Sequence, residues 1–130
     1  MKTNCITEIQ TALLSNSELK EAIGKDKDGN DRIYPSEQAP IAKEYPRITM
    51  FEVNNSDSDD YADDTCLSSE VIVQIDVWAK SSSLRAQIAG LVDDTMKALE
   101  WSRGSAPDFY EPDIEVYHKA MRYRNKFFDI

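Results

Sequence analysis

Hydrophobic residues recur at helical spacing in two long stretches of the chain. In residues 3–14 they stand three and four positions apart, with polar residues between them, at Ile6, Ile9, Leu13 and Leu14. A longer stretch begins at the serines 81–83, which are favourable helix caps, and runs to about Trp101. Its hydrophobic face comprises Leu84, Ile88, Leu91, Val92 and Leu99. Both patterns predict amphipathic helices, and Gly104 is a plausible C-terminal stop for the second.

A shorter helical turn is predicted directly after the first helix. Ser17 is a favourable cap, and the hydrophobic positions that follow are Leu19, Ala22 and Ile23. Gly24 can adopt the left-handed backbone conformation that ends a helix. Residues 25–31, KDKDGND, are typical of a turn.

Alternating hydrophobic and polar residues predict a long hairpin in the middle of the chain. In residues 70–79 one face carries Val71, Val73, Ile75, Val77 and Ala79. Residues 46–53 are rich in β-branched and aromatic residues, which favour strands. The polar residues 54–65 between them contain five Asp and are expected to form an exposed loop. Two strands joined by such a loop most economically pair antiparallel, with the acidic loop at the tip.

The remaining segments complete an α+β fold. Residues 32–34 are expected to form a brief strand ended by Pro35. Residues 108–111 and 114–128 are expected to be extended, and a helix is the weaker alternative for 114–128. The predicted architecture is a mainly antiparallel sheet with a long hairpin, flanked by two helices. No repeat or long linker divides residues 1–130, so one domain is expected. The expected core comprises Val71, Val73, Ile75, Val77, Leu84, Ile88, Leu91 and Leu99.

Composition excludes several classes of protein. The 130 residues contain 24 acidic and 15 basic side chains, for a net charge of −9. This balance argues against nucleic acid as the main partner, because backbone binding needs clustered Lys and Arg. No stretch approaches the roughly 20 apolar residues of a membrane span. Glu8 stands where a signal peptide would be apolar, so a cytosolic chain is expected.

Few residues suggest catalysis. His118 is the only histidine, so a nucleophilic mechanism that uses histidine must run through it. The sequence singles out no partner for it, and neither a nucleophile elbow nor a phosphate-binding glycine loop is present. Cys5 and Cys66 lie 61 positions apart without a second cluster, which indicates two reduced thiols rather than a zinc site. We therefore expect no catalytic residue, cofactor site or metal site.

Two acidic segments are candidate cation sites. Residues 26–37 imitate a calcium-binding loop, but Asp31 occupies the sixth position, where that loop needs glycine, so a solvated turn is the better interpretation. The loop 54–65 offers carboxylates that could bind Mg²⁺ or Ca²⁺ weakly. Its acidic residues are Asp57, Asp59, Asp60, Asp63 and Asp64.

The acidic loop has a basic counterpart near the C-terminus. Residues 118–128 contain Lys119, Arg122, Arg124 and Lys126 and no acidic residue. The two segments are complementary in charge, which makes these nine residues candidates for an interface. If they meet between copies, the contact is heterologous, and a heterologous contact that closes forms a ring.

Several short segments, taken in order, resemble a known family. They are RIYP at 32–35, YPRITMFE at 45–52, VIVQIDVWAKS at 71–81 with the helix after it, and YEPDIEVYHKAMRYR at 110–124. Together with the N-terminal helix they resemble the tail-completion proteins of long-tailed bacteriophages. These belong with the tail-terminator and head–tail joining proteins of phages and prophages. The resemblance covers nearly the whole chain, so residues 1–130 are expected to form one tail-completion-like domain.

The resemblance implies a noncatalytic structural protein of the virion tail, assembled in the host bacterial cytoplasm. Such a protein forms a homo-hexameric ring on the finished tail tube, ends tube growth and presents the surface that joins the head. Its implied partners are copies of itself, the tail tube protein and a head-connector protein, with no membrane and with DNA only passing through the lumen. The alternatives are a head-side connector or stopper and, in a different class, a small metal-dependent bacterial enzyme or regulator that uses His118 and the acidic loop.

Overall fold

The computed structural model describes residues 1–57, 61–62, 65–66 and 68–128, without the side chains of 61–62 and 65–66. The helices of this part of the chain are α1 (Cys5–Leu14), α2 (Ser17–Ile23) and α3 (Ser82–Ala98), with a 3-10 turn at Ser36–Gln38. The strands are β1 (Ile33–Pro35), β2 (Arg47–Asp57), β3 (Tyr61–Ala62), β4 (Thr65–Cys66), β5 (Ser68–Ala79), β6 (Ser102–Arg103), β7 (Asp108–Glu111) and β8 (Val116–Phe128). The predicted α+β class is confirmed.

The main sheet has the strand order β1-β2-β5-β8-β6, and β7 also pairs with β8. Only β1 and β2 run parallel; the other neighbouring strands of this sheet run antiparallel. The predicted hairpin is therefore present as β2 and β5, and β8 is extended rather than helical. At the centre of the sheet, Met50, Ile75 and Met121 lie side by side on three adjacent strands.

One face of the sheet is covered by the helices. The alternating residues of β5 predicted to be hydrophobic and inward-facing are all fully buried. They pack with side chains of the first and third helices, chiefly Ile9, Leu13, Ile88, Val92 and Met96. Burial of these apolar surfaces supplies the main driving force for folding. The opposite face of the sheet, which we call the open face, carries mostly half-buried and exposed side chains along β5 and β8, although some, including Asp76, are buried.

The end of α3 differs from the prediction. The helix ends at Ala98, and Leu99, expected in the core, is 37% exposed at the C-cap. Glu100 then adopts φ 68°, the left-handed position expected of Gly104. Gly104 lies further on, where its N–H donates to the carbonyl of Arg122 at 2.8 Å. The periodic pattern placed Leu99 on the core face, but the chain turns away from the helix axis before that face can be used.

The acidic segment also begins later than predicted. Residues 54–57, expected in the loop, continue β2, which pairs with β5 as far as Asp57 opposite Ser69. A register shift between Glu52 and Asn54 accommodates one extra residue in β2, as a β-bulge does. Beyond Asp57, β3 and β4 pair with each other in a separate two-stranded sheet. Asp59, Asp60, Asp63 and Asp64 lie outside the described residues.

The short helical turn predicted after α1 is a full helix, α2, so three helices rather than two accompany the sheet in the described residues. Its cap is Asn16, not Ser17: the Asn16 side-chain oxygen accepts from the N–H of Leu19 at 3.1 Å. The same side chain donates through Nδ2 to Thr95 Oγ1 at 3.1 Å, which ties α2 to α3. Gly24 ends the helix with φ 74°, in the left-handed region as predicted.

Replacing Asn16 with Ala is expected to lower the free energy of unfolding by about 1 kcal/mol, because the cap and the link to Thr95 are both lost. Chemical denaturation of the purified chain measures the change. Ser17→Ala is the matched control and should be close to neutral, since Ser17 is exposed and caps nothing. A larger loss for Ser17→Ala than for Asn16→Ala would show that the cap is assigned to the wrong residue.

None of the helices in the described ranges is long and apolar enough to cross a membrane.

Candidate interaction surface on the open face

The open face is assembled by the register between β5 and β8. Gln74 lies opposite Arg122, Ile72 opposite Arg124, and Trp78 opposite His118. The odd-numbered side chains of β5 are buried under the helices. Because successive side chains of a strand point to opposite faces, the residues of these three pairs project away from the helices. The sequence pattern predicted which residues share a face, but not which residues of the two strands lie opposite one another.

A hydrogen-bonded network lies at the centre of this face. Asp76 is 6% exposed, and its Oδ1 accepts from Gln74 Nε2 at 3.0 Å and from His118 Nε2 at 2.7 Å. The His118 ring stacks on Trp78, with 3.7 Å between centroids and 5° between planes. Trp78 in turn donates to Thr49 Oγ1 at 3.4 Å. Oδ1 of the buried carboxylate thus has two hydrogen-bond partners, one from each of two adjacent strands, as buried polar atoms generally have partners.

This network gives His118 the partner that the sequence did not single out. A carboxylate that orients a histidine is one part of a nucleophilic triad. In the described part of the chain, however, no hydrogen bond joins His118 to a serine or cysteine. One face of its ring is covered by Trp78, and Phe109 lies 5.5 Å away. The contacts made by His118 are those of a side chain that holds strands together.

Among the described residues, two further candidate reactive groups, Cys5 and Asp26, are buried. Burial raises the pKa of Cys5 to about 11, assisted by the nearby charge of Glu52, so this thiol stays protonated. The hydrogen bond from Tyr34, at 2.7 Å, lowers the pKa of Asp26, assisted by the backbone N–H groups of Asn30 and Asp28. Asp26, which is buried, thereby closes the turn with its own carboxylate. Across the described ranges, no three His, Cys, Asp or Glu side chains are arranged to hold a metal ion.

The predicted basic residues are divided between the two faces of the sheet. Arg122, Arg124 and Lys126 lie on the open face, opposite Gln74, Ile72 and Glu70 in the register. Lys119 lies on the other face, opposite Val77. Its ammonium group donates to the carbonyl of Ala106 at 3.0 Å and to Asp108 Oδ1 at 3.1 Å. Side chains alternate between the two faces along a strand, so Lys119, at an odd-numbered position, lies on the opposite face from the three residues at even-numbered positions.

Two of these residues border a cleft of about 270 Å³ at the edge of the sheet. Arg122 and Arg124 line it, together with Ile72 of β5 and the segment 102–105, which includes β6. We call it the arginine cleft. Both arginines are exposed, and each is held near its Nε: Arg122 donates to Gln74 Oε1 at 3.1 Å, and Arg124 lies 3.4 Å from Glu70 Oε1. The sequence predicted the arginines but not the wall formed by 102–105, because a two-residue strand has no recognisable pattern.

The side of β8 that faces the helices carries a separate ionic cluster around Asp93. Tyr123 donates to Asp93 Oδ1 at 2.9 Å, Lys97 lies 2.8 Å from Oδ2, and Arg103 lies 3.2 Å from Oδ1. Burial raises the pKa of Asp93, but the hydrogen bonds from Lys97 and Tyr123 and the two cationic charges outweigh it and leave the pKa below its usual value. This cluster joins α3 to β6 and β8 and so supports the segment that walls the cleft.

Comparison with known proteins identifies the family. The family model described as tail completion protein gp17 matches residues 7–126. A comparison with curated protein sequences finds no match. A solved chain from the virion of a native gene transfer agent particle has a similar fold, with a TM-score of 0.72 and 10% sequence identity. The alignment covers 97% of this chain and 99% of that one. Since the family model spans nearly all of the sequence, this chain belongs to the tail completion protein gp17 family and has a structural role in a phage-type tail.

Proposed function

We propose that this chain forms a ring that caps the completed tail tube, ends tail growth and joins the tail to the head. The observation that carries the proposal is the family match over residues 7–126. The likeness in fold to a chain of a gene transfer agent virion supports it. The partners that we propose are copies of the chain in a hexamer, the tail tube protein and a head-connector protein. The chain works by binding rather than by catalysis, in the virion tail and, during assembly, in the host cytoplasm.

The physical basis for such a role is a rigid sheet with two different surfaces. Among the described residues, the helices cover one face of the sheet, and the open face carries exposed side chains that can contact other proteins. A chain that carries complementary surfaces at different places assembles head to tail, and closure of that contact makes a ring. The net charge of −9 suits a ring through which DNA passes, because like charges repel and prevent the phosphates from binding.

The test is the length of the tails made without this chain. Particles produced by a host in which its gene is disrupted should have tails of irregular, often excessive length and few joined heads, and supplying the chain in trans should restore both. Electron microscopy measures tail length and head attachment. Tails of normal length that fail to join heads would instead support the head-side connector alternative. Normal tails fully joined to heads would contradict both.

A further inference from the structure

The arginine cleft is a cationic site on an acidic protein. Arg122 and Arg124 stand two residues apart on one face of β8, and Lys126 follows at the same spacing. Among the described residues, Glu70 is the acidic side chain that contacts Arg124, 3.4 Å from its Nε. Arg122 is met by a neutral amide, at 3.1 Å. Arg122 and Arg124 bring two positive charges to the cleft, and the Glu70 beside Arg124 offsets one of them, although the chain as a whole carries −9.

The chemistry of the cleft favours carboxylates. A guanidinium group presents a planar set of donors that binds a carboxylate through two parallel hydrogen bonds, and it is more weakly hydrated than an ammonium group. Arg122 contacts Gln74 through Nε, and Arg124 contacts Glu70 through Nε. The edge of each guanidinium group that carries the two terminal nitrogens therefore faces away from these contacts. Ile72 supplies an apolar floor, which lowers the local dielectric constant and strengthens ionic contacts. At about 270 Å³ the cleft has room for a few side chains rather than a whole domain.

The sequence contains one segment that suits this cleft. Residues 57–64 carry five aspartates and no basic residue. We propose that the arginine cleft binds this aspartate-rich segment from a second copy of the chain. This proposal rests on the proposed function, because the contact would join neighbouring copies in the ring. Every copy offers its cleft to one neighbour and its acidic segment to the other.

The position of the segment in the sheet favours a neighbouring copy over the same one. Asp57, its first residue, lies in the row of Ser69 and Phe127, at the end of the sheet. Arg122 lies five residues from Phe127 along β8, roughly 17 Å at the usual rise per strand residue, and β5 lies between β2 and β8. Strands β3 and β4, within and just after this segment, pair with each other and not with β8. Asp57, where the segment begins, and the cleft thus lie at different places on one copy, as a heterologous contact requires.

The test uses the full-length chain with charge-neutralising variants. The cleft variant is Arg122→Gln with Arg124→Gln, and the segment variant is Asp59→Asn, Asp60→Asn, Asp63→Asn and Asp64→Asn. Charge-matched controls change exposed positions elsewhere: Lys27→Gln with Lys43→Gln, and Glu18→Gln, Glu21→Gln, Asp28→Asn and Glu37→Gln. Size-exclusion chromatography with light scattering gives the mass of each protein over a range of concentrations, and circular dichroism checks that each is folded.

Wild type and both controls should assemble at similar concentrations, and the assembly should weaken as salt is raised from about 0.05 M to about 0.5 M. The cleft variant and the segment variant should each need at least tenfold higher concentration. Mixing the two variants in equal amounts should produce heterodimers and nothing larger. The cleft variant still offers an intact segment and the segment variant an intact cleft, so each pair forms one contact and cannot extend it.

Three results would overturn the contact. They are assembly of either variant at wild-type concentration, failure of the two folded variants to form heterodimers, and a wild-type chain that stays monomeric up to about 0.5 mM. Binding of a labelled DNA duplex at about 0.15 M salt, abolished in the cleft variant and not in its control, would assign the cleft to phosphate instead. Because tail length and head joining are measured separately, the proposed function can stand when this contact fails.

Discussion

Replacing Ile75 with Ala is expected to lower the free energy of unfolding by about 2–5 kcal/mol. Ile75 is fully buried on the central strand β5, between Met50 and Met121 on the adjacent strands, and helices cover its face of the sheet. Neighbours on three sides belong to regular elements that cannot close in, so most of the removed volume stays as a cavity. Urea or thermal denaturation at low protein concentration measures the loss.

The matched control lies on the same strand. Ile72→Ala removes the same atoms from the open face, where Ile72 is only half-buried, and should cost about 1 kcal/mol or less. The difference between the two variants isolates burial from strand propensity, because both sites are in the interior of β5. Equal losses at the two positions would contradict the assignment of the helix-covered face.

Arg32→Ala is expected to lower the free energy of unfolding by about 3 kcal/mol, a large effect for a surface-accessible arginine. The guanidinium donates to three backbone carbonyls: those of Ile23 and Pro46 at 2.7 Å and that of Lys25 at 2.8 Å. These carbonyls belong to the end of α2, the turn that follows it and the residue before β2. Truncation leaves them without their donor and releases three segments that the side chain holds together.

Two substitutions test this interpretation. Arg32→Lys keeps the charge but cannot reach three carbonyls in a fork, so an intermediate loss is expected. Arg124→Ala removes an exposed arginine with one ion pair and should cost less than about 1 kcal/mol. Denaturation curves of all three variants should rank Arg32→Ala as the least stable. An Arg32→Lys chain as stable as wild type would show that charge alone, and not the hydrogen bonds, accounts for the effect.

The element boundaries show where local pattern is sufficient. Alternation in residues 70–79 predicted both the strand and its buried face, because the period of two is imposed by the backbone itself. The end of α3 and the cap of α2 were missed for a different reason. Leu99 fits the helical pattern, but Glu100 takes the left-handed conformation and the chain leaves the helix. At the start of α2, Asn16 is preferred to Ser17 as the cap because its side chain also bonds to Thr95, 79 residues away.

The interaction surface shows a similar division. Once residues 114–128 are predicted to be extended, the spacing of two between Arg122, Arg124 and Lys126 implies that they share one face and that Lys119 lies on the other. It could not predict the cleft, whose wall at 102–105 and floor at Ile72 come from other elements. The partner of His118 was missed for the same reason, since Asp76 is 42 residues away and meets it only across two paired strands.

Local patterns in the chain were sufficient to predict the α+β class, the long hairpin, the buried face of β5 and the charge of the two segments that we propose to bind each other. These follow from periodicity and composition, which are local properties of the chain. Packing of the whole chain set the register between β5 and β8, the network around Asp76 and the three carbonyls bound by Arg32. Such contacts join residues distant in sequence, and their geometry is set by how strands and helices pack together rather than by any pattern within one segment.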